Sequence, residues 1–331
     1  MKSAIDLFSA LGERLRGFER DPRIQAVAQQ ACSANDWFTL HEIGRAIGAL
    51  VDNMLQPELL RDWLKGYAVP VSRPQNILVI MAGNIPLVGF FDLLCVIASG
   101  HQCIVKPSSK DRILTDFIID QLQAIDPDVP ITRYDQNQRI DAVIATGGEN
   151  ANRYFRNHYA NLPTLLRGNR QSVAVLSGEE TADQLIGLSD DIWAYSGLGC
   201  RNVSLLFIPK GYDLQLSMPQ VNTKYRNNYR QTRAILEMTD APFRDLGAAV
   251  LLEKREFPTA LSSICFTRYQ DLAEVETWLA EHDNELQCVV SECVQHTRRC
   301  GFGMAQAPKL TDWPDGQDTL RFLTDLTKTD K

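Results

Sequence analysis

Apolar residues over the first 66 positions recur at helical spacing. In "ANDWFTLHEIGRAIGALVDNML", Ile43, Ile47, Val51 and Met54 fall on one face, and Thr39 followed by Glu42 reads as an N-cap with its capping box. Pro70 and Pro74 end that pattern. Short unbroken apolar runs then take over: "NILVI", "HQCIV", "DAVIA" and "QSVAV". Runs of this length without polar alternation predict strands covered on both faces. The segments "PLVGFFDLLCVIASG", "DRILTDFIIDQLQAI" and "ENANRYFRNHYAN" between them predict helices. Strand–helix alternation repeated in this way predicts a parallel, doubly wound α/β sheet.

The pattern changes again after residue 183. A strand in "VSLLFIPKG" is followed by a polar stretch at 224–233 and a strand near 248–252. Then come "LSSICFTRY", the helix "DLAEVETWLAEHD" and the strand "LQCVVS". The close, "GFGMAQAPKLTDWPDGQDTLRFL", reads as an irregular crossover and a last helix. A chain of 331 residues accommodates about two domains. The expected division is 1–182, with 305–331 returning to it, and 183–304 as a smaller α/β domain.

Net charge is −7 with a pI near 5.3, so no basic footprint points to nucleic acid or an anionic membrane. The N-terminal segment lacks the apolar core of a signal peptide. The longest apolar stretch, 86–99, is interrupted by Gly89 and Asp92 and is too short to span a bilayer. These features predict a cytoplasmic protein without a membrane span, whose eight cysteines are thiols rather than a disulfide framework. Cys288, Cys293, His296 and Cys300 do not have a standard zinc spacing. A helix over 291–300 would place the last three on one packed face, and no metal is expected.

"GNIP", "KPSS" and "TGG" each stand at the carboxyl end of a predicted strand, where doubly wound sheets bind ligands. The usual dinucleotide and P-loop fingerprints are absent, as are G-x-S-x-G and H-E-x-x-H. "TGGENA" either offers backbone N–H groups to a phosphate or is a tight turn. Lys106 meets a ribose or phosphate, or only solvent. In "YSGLGCRNVS", Cys200 after Gly197 and Gly199 is either a nucleophile on a glycine turn or a packed thiol. Cys95, Cys103 and Cys288 lie inside apolar runs and read as core.

Taken in order, "AGNIP", "IVKPS", "IATGG", "LLRGNRQSVAVL" and "SGLGC" resemble the aldehyde dehydrogenase superfamily over residues 70–325. The nearest resemblance is to its acyl-CoA reductase branch, the LuxC type. That resemblance implies an aldehyde-dehydrogenase-like fold, with a doubly wound parallel-sheet cofactor domain and a smaller α/β catalytic domain. It implies Cys200 as the thiolate that takes the acyl group, and Asn84 with the Cys200 N–H as oxyanion donors. Lys106, Ser108 and Ser109 are implied at the adenosine ribose, and Thr146, Gly147 and Gly148 near the pyrophosphate. Glu256, or alternatively Glu253, is implied at the nicotinamide ribose. Hydrolytic relatives carry a glutamate where this chain has "LLRGNRQ", so acyl transfer is expected in place of hydrolysis. Ser109 stands where NAD-preferring relatives often carry a glutamate, so NADPH is expected, with NADH possible; Ser109 could alternatively be only a helix N-cap. The implied substrate is acyl-CoA or another acyl thioester. An acyl-protein synthetase and a second copy of the chain are the implied partners. A phosphorylating semialdehyde dehydrogenase or glutamyl-phosphate reductase type remains an alternative, with Arg201 and the arginines at 226–233 as its anion site. So does a cofactor-binding subunit without catalysis.

Overall fold

The computed structural model describes residues 2–18 and 20–326; Met1, Glu19 and 327–331 lie outside the described residues. The chain divides into two compact units, Met1–Asn169 with Lys309–Lys331, and Arg170–Pro308.

The first unit opens with helices α1 (Ala4–Leu15), α2 (Pro22–Ala34), α3 (Leu40–Asn53) and α4 (Pro57–Leu64). Thr39 caps α3 by accepting from Glu42 N at 3.1 Å, and Ile43, Ile47 and Val51 form its buried face. Strand β1 (Asn76–Ile80) leads to α5 (Phe90–Ser99), and β2 (Gln102–Lys106) to α6 (Arg112–Ile125). Then follow β3 (Ile131–Arg133), β4 (Ala142–Thr146), α7 (Glu149–His158) and β5 (Thr164–Arg167). A closing helix, Thr319–Asp325, belongs to the same unit.

The five strands are parallel in the order β3-β2-β1-β4-β5. Ile77, Leu78 and Val79 of β1 are completely buried, as expected for an unbroken apolar run. Each such side chain contributes about 1.5–3 kcal/mol. Every residue of α5 is buried, Asp92 included. Its carboxylate is matched by Arg167 at the end of β5, whose Nη1 lies 2.5 Å from both Asp92 oxygens while Nη2 donates to Thr319 Oγ1. The "interruption" in the apolar stretch is thus half of a buried ion pair.

The second unit holds β6 (Gln171–Val175), α8 (Ala182–Trp193), β7 (Val203–Pro209), α9 (Thr223–Met238), β8 (Arg244–Asp245) and β9 (Val250–Glu253). It continues with β10 (Ser263–Tyr269), α10 (Leu272–Glu281), β11 (Leu286–Val290) and β12 (Arg299–Cys300). Its sheet runs β12-β11-β6-β7-β10-β9-β8, parallel except at β8–β9.

Four sequence expectations need correction. The run "QSVAVLS" does not continue the first sheet; β6 pairs with β11 and β7, inside the second one. The first sheet takes "ITR" and "TLLR" instead, strands of three and four residues that carry too little periodicity to stand out. No helix spans 291–300. Ser291 Oγ accepts from Cys293 N at 3.1 Å, a local bond that competes with helix formation, and Cys300 enters β12. Cys293 Sγ meets Val175 O while His296 meets Asp283, so the three residues do not share a face. Finally, α6 starts at Arg112 with Asp111 at its N-cap position, so Ser109 is not the cap.

Candidate active site

The order of the first sheet reverses between β1 and β4, the switch point where a crevice opens at the carboxyl ends of neighbouring strands. There the structure gathers the loop after β1 with Asn84, the end of β2 with Lys106, Ser108 and Ser109, and the end of β4 with Thr146, Gly147 and Gly148. Lys106 is exposed and lies over the Tyr134 ring at 5.0 Å from its centroid. Ser109 is exposed, and Ser108 Oγ accepts from Lys110 N at 3.3 Å. The glycine turn is held from behind: Asn152 Nδ2 donates to Gly147 O at 3.1 Å and to Arg167 O at 2.8 Å. Gly148 occupies the N-cap of α7 without a side-chain cap, which leaves first-turn N–H groups of that helix for an anion.

The Asn84 loop is fixed by its neighbours. A Cβ on Gly83 would meet Ser108 Oγ at 2.5 Å and Ser108 Cβ at 2.6 Å, so only glycine allows the two loops this approach. Leu87, at a left-handed φ of 57°, donates its N–H to Asp111 Oδ2 at 2.8 Å. Burial pushes the Asp111 carboxyl up to about 8, with the Leu87 N–H pulling the other way. No sequence signal marked Asp111, which the pattern offered only as the start of a helix.

In the second unit, Cys200 stands between α8 and β7. Of the eight cysteines it is the exposed one; Cys95, Cys103, Cys265 and Cys288 are buried. Three consecutive residues before it are left-handed: Tyr195, Ser196 and Gly197, at φ 52°, 55° and 68°. For Tyr and Ser this costs about 1–3 kcal/mol each. Asn202 holds the turn that follows, accepting from Gly199 N at 2.8 Å and donating to the carbonyls of Asp191, Ile192 and Ala194. Ser172 Oγ donates to Cys200 O at 2.9 Å. Sequence reading missed both residues. Asn202 stood two positions from the thiol in "GCRNVS", and a polar residue there was the available signal.

Glu256 lies in the loop after β9, exposed, with Lys254 Nζ 3.2 Å away. Glu253, its alternative, pairs with Arg268 at 3.4 Å. Among the arginines at 226–233, all on α9, Arg233 is paired with Glu237 and Asp245. Among the described residues, no group of three or more His, Cys, Asp or Glu could hold a metal ion.

Solved structures give the fold. Aldehyde dehydrogenase 21 of Physcomitrella patens matches with a TM-score of 0.66 at 10% identity, over 98% of this chain and 83% of that one. An acetylating aldehyde dehydrogenase from Geobacillus thermoglucosidasius matches at 0.62 and 10%, over 92% and 83%. An aldehyde dehydrogenase from Bacillus cereus in complex with NAD+ matches at 0.61 and 14%, over 90% and 73%. The fold is therefore aldehyde-dehydrogenase-like. The family model described as acyl-CoA reductase (LuxC) matches residues 35–218, more than half of the chain, with Asn84, Lys106, Ser108, Ser109, Thr146, Gly147, Gly148 and Cys200 inside it and Glu253, Glu256 and the arginines at 226–233 outside. This chain belongs to the acyl-CoA reductase (LuxC) family. Long-chain acyl-protein thioester reductase 2 of Photobacterium leiognathi is 25% identical over 258 residues, 71% of this chain and 51% of that protein. The corresponding reductase of Aliivibrio fischeri is 26% identical over 162 residues, 43% and 34%. The chain thus spans about half, or less, of the length of these relatives.

Proposed function

We propose that this chain is a nicotinamide-dependent acyl-thioester reductase that works through an acyl-enzyme on Cys200 and releases an aldehyde. One observation carries the reading. The exposed cysteine stands three residues after the left-handed Gly197, inside the region that matches the acyl-CoA reductase family. In this reading the first unit, with its returning C-terminal segment, binds the cofactor, and the second carries the thiol. The name borne by the relatives, acyl-protein thioester reductase, supports an acyl thioester as donor, either acyl-CoA or an acylated protein such as a synthetase would supply. No helix among the described residues is long and apolar enough to cross a membrane. The proposed location is the cytoplasm.

The switch-point residues fit a dinucleotide. The uncapped N-terminus of α7 suits its pyrophosphate, and Lys106, Ser108 and Ser109 suit the adenosine ribose, with a 2′-phosphate accepted at Ser109. Glu256, exposed on its loop, is the candidate for the other ribose. When bound, the cofactor supplies a hydride. The Cys200 thiolate adds to the thioester carbonyl; its carbon–sulfur bond forms as the donor thiolate leaves. The Asn84 amide and the Cys200 N–H stabilise the oxyanion. After reduction of the acyl carbon, cleavage of the Cys200 carbon–sulfur bond gives the aldehyde and returns the thiolate.

The test is acylation without cofactor. Supplied with acyl-CoAs from C2 to C16, the protein is expected to gain one acyl mass, mapped to Cys200, and Cys200→Ala is expected to gain none and to consume no NADPH. An adduct on another cysteine, or reductase activity retained by Cys200→Ala, overturns the proposal.

A further inference from the structure

Asp191 is the most enclosed acid of the second unit, with no accessible surface. It sits near the C-terminal end of α8, and both its oxygens are used. Gly303 N donates to Oδ2 at 2.7 Å and Ala305 N donates to Oδ1 at 2.9 Å. The 301–305 segment is pressed onto the same helix: a Cβ on Gly187 would meet Gly303 N at 2.8 Å and Phe302 C at 2.9 Å. The segment then reaches the nucleophile turn, because the carbonyl of Ala305 accepts from Arg201 Nε. Arg201 is the residue after Cys200. The ring closes through Asn202, which bonds the Asp191 carbonyl at 3.2 Å and the Gly199 N–H at 2.8 Å. The Asp191 carboxylate therefore ties the end of α8 to the 301–305 segment, and that segment and the Asp191 carbonyl both bond to the turn that presents the thiol.

We propose that Asp191 is the positioning residue of the nucleophile: through the 301–305 segment it fixes the Arg201 guanidinium next to Cys200. This rests on the reading of Cys200 as the reacting thiol. A cation held at a fixed place beside a cysteine favours the thiolate; the same cation on a mobile side chain does so far less.

The latch responds to pH. Ionised, Asp191 accepts from both N–H groups. Protonated, one oxygen carries a proton that has no acceptor in this pair of bonds, and both bonds lose the charge that strengthens them. Burial raises this carboxyl to about 7, against the pull of the Gly303 and Ala305 N–H groups, with Cys288 on β11 and Asp190 on α8 adding to the rise. Cys300 on β12 and Arg201 are the other titratable or charged groups that face this cluster. The latch is thus closed above about pH 7 and slack below it.

The experiment follows alkylation of Cys200 by iodoacetamide, read by peptide mass, from about pH 5.5 to 9 in the full chain without substrate or cofactor. Wild type is expected to show a step near pH 7 in addition to the thiol's own titration. Asp191→Asn is expected to lack the step and to react about tenfold more slowly at pH 8, the effect of about one unit in thiol pKa. Amide hydrogen exchange over 301–306 in the wild type is a second readout that needs no variant. Protection at Gly303 and Ala305, corrected for intrinsic exchange, is expected to rise between about pH 6 and 8. Superimposable alkylation profiles in wild type and folded Asp191→Asn, or protection that does not change with pH, overturn the proposal. Both readouts work without turnover, so a failure of the reductase reading leaves them intact.

Discussion

Asn84 is half-buried in the loop after β1, and the helix that follows starts from Gly89, not from Asn84. Asn84 is therefore not at the N-cap position of that helix. Asn84→Ala is expected to lower turnover about 10²–10³-fold, the effect of losing one oxyanion donor. The KM for the cofactor and the melting temperature should stay near wild type; a destabilised variant that keeps its turnover would return Asn84 to a structural role. Ser109 is exposed and is not the cap of α6, and in the proposed reading it sets the cofactor preference. A carboxylate at this position repels a 2′-phosphate. Ser109→Glu is expected to raise the KM for NADPH and to move the kcat/KM ratio toward NADH, and an unchanged ratio would remove the argument. Asp111 bears on stability. Its carboxyl, raised by burial to about 8, stays protonated in the folded chain while an unfolded aspartate ionises near 4. The folded state then binds the extra proton. Stability is lost as pH rises between those values and levels off above about 8. Asp111→Asn keeps an acceptor for the Leu87 N–H and has no charge to bury. Its melting temperature, relative to wild type, should therefore climb from about pH 5 to pH 9; parallel curves would show that Asp111 does not titrate in this window.

Two loops from consecutive βα units are interlocked at Gly83 and Ser108. Gly83→Ala places a methyl group 2.5 Å from Ser108 Oγ and 3.2 Å from Asp111 Cβ, so the Asn84 loop must shift. A displacement of about 1 Å at a reacting group can cost about 10²-fold. Gly83→Ala is expected to lose most of its kcat, and Ser108→Gly in the same chain to restore part of it; equal losses in the single and double variants would place the strain elsewhere. This lock was not legible in the sequence, although both of its residues were. The strand runs of β1, β2 and β4 announced themselves because they are apolar throughout, and their carboxyl ends located Asn84, Lys106 and Gly147. The glycine turn located Cys200 in the same way. What escaped was set by pairing across distance. Whether "QSVAV" joins the first or second sheet depends on its neighbours β11 and β7, more than 25 positions downstream, and not on its own composition. "ITR" and "TLLR" are strands only because β2 and β4 offer them edges. Segment 291–300 has helical spacing, but Ser291 Oγ bonds the Cys293 N–H in a local turn instead. Asp111, Ser172 and Asp191 gain their roles from the atoms they meet, and nothing in their local sequence predicts those partners.

At the scale of the molecule, the proposed mechanism raises the question whether water or a thiol ends the acyl-enzyme. The chain has 41 acidic residues, so carboxylates are abundant; what matters is whether one is placed to activate water. The stretch "LLRGNRQ", where the sequence resemblance places such a base in hydrolytic relatives, has no acid, and its Arg167 is buried against Asp92 and Thr319. Asp92 is therefore committed to a cation. Asp111 holds the Leu87 N–H, and Asp191 holds those of Gly303 and Ala305. Asp315 accepts from Gly168 N at 2.9 Å. Glu180 is bound to its own turn through Ser177 N and Gly178 N. Each of these acids is engaged as an acceptor in the fold. A general base contributes about 10²–10⁴-fold, so in the proposed reading hydrolysis of a thioester on Cys200 is expected to be slow by that factor. A thiol such as CoA needs no such base, because it attacks as the thiolate. In the oxidative direction, with aldehyde and NADP+, steady reduction of the cofactor is expected to depend on added CoA by at least about 10²-fold, with acyl-CoA as the product. Without CoA, one turnover's worth of NADPH should appear quickly and then stop, as the acyl group stays on Cys200. Equal steady rates with and without CoA, and free acid as the product, would reveal a hydrolytic base and assign the family's fold a different reaction in this chain.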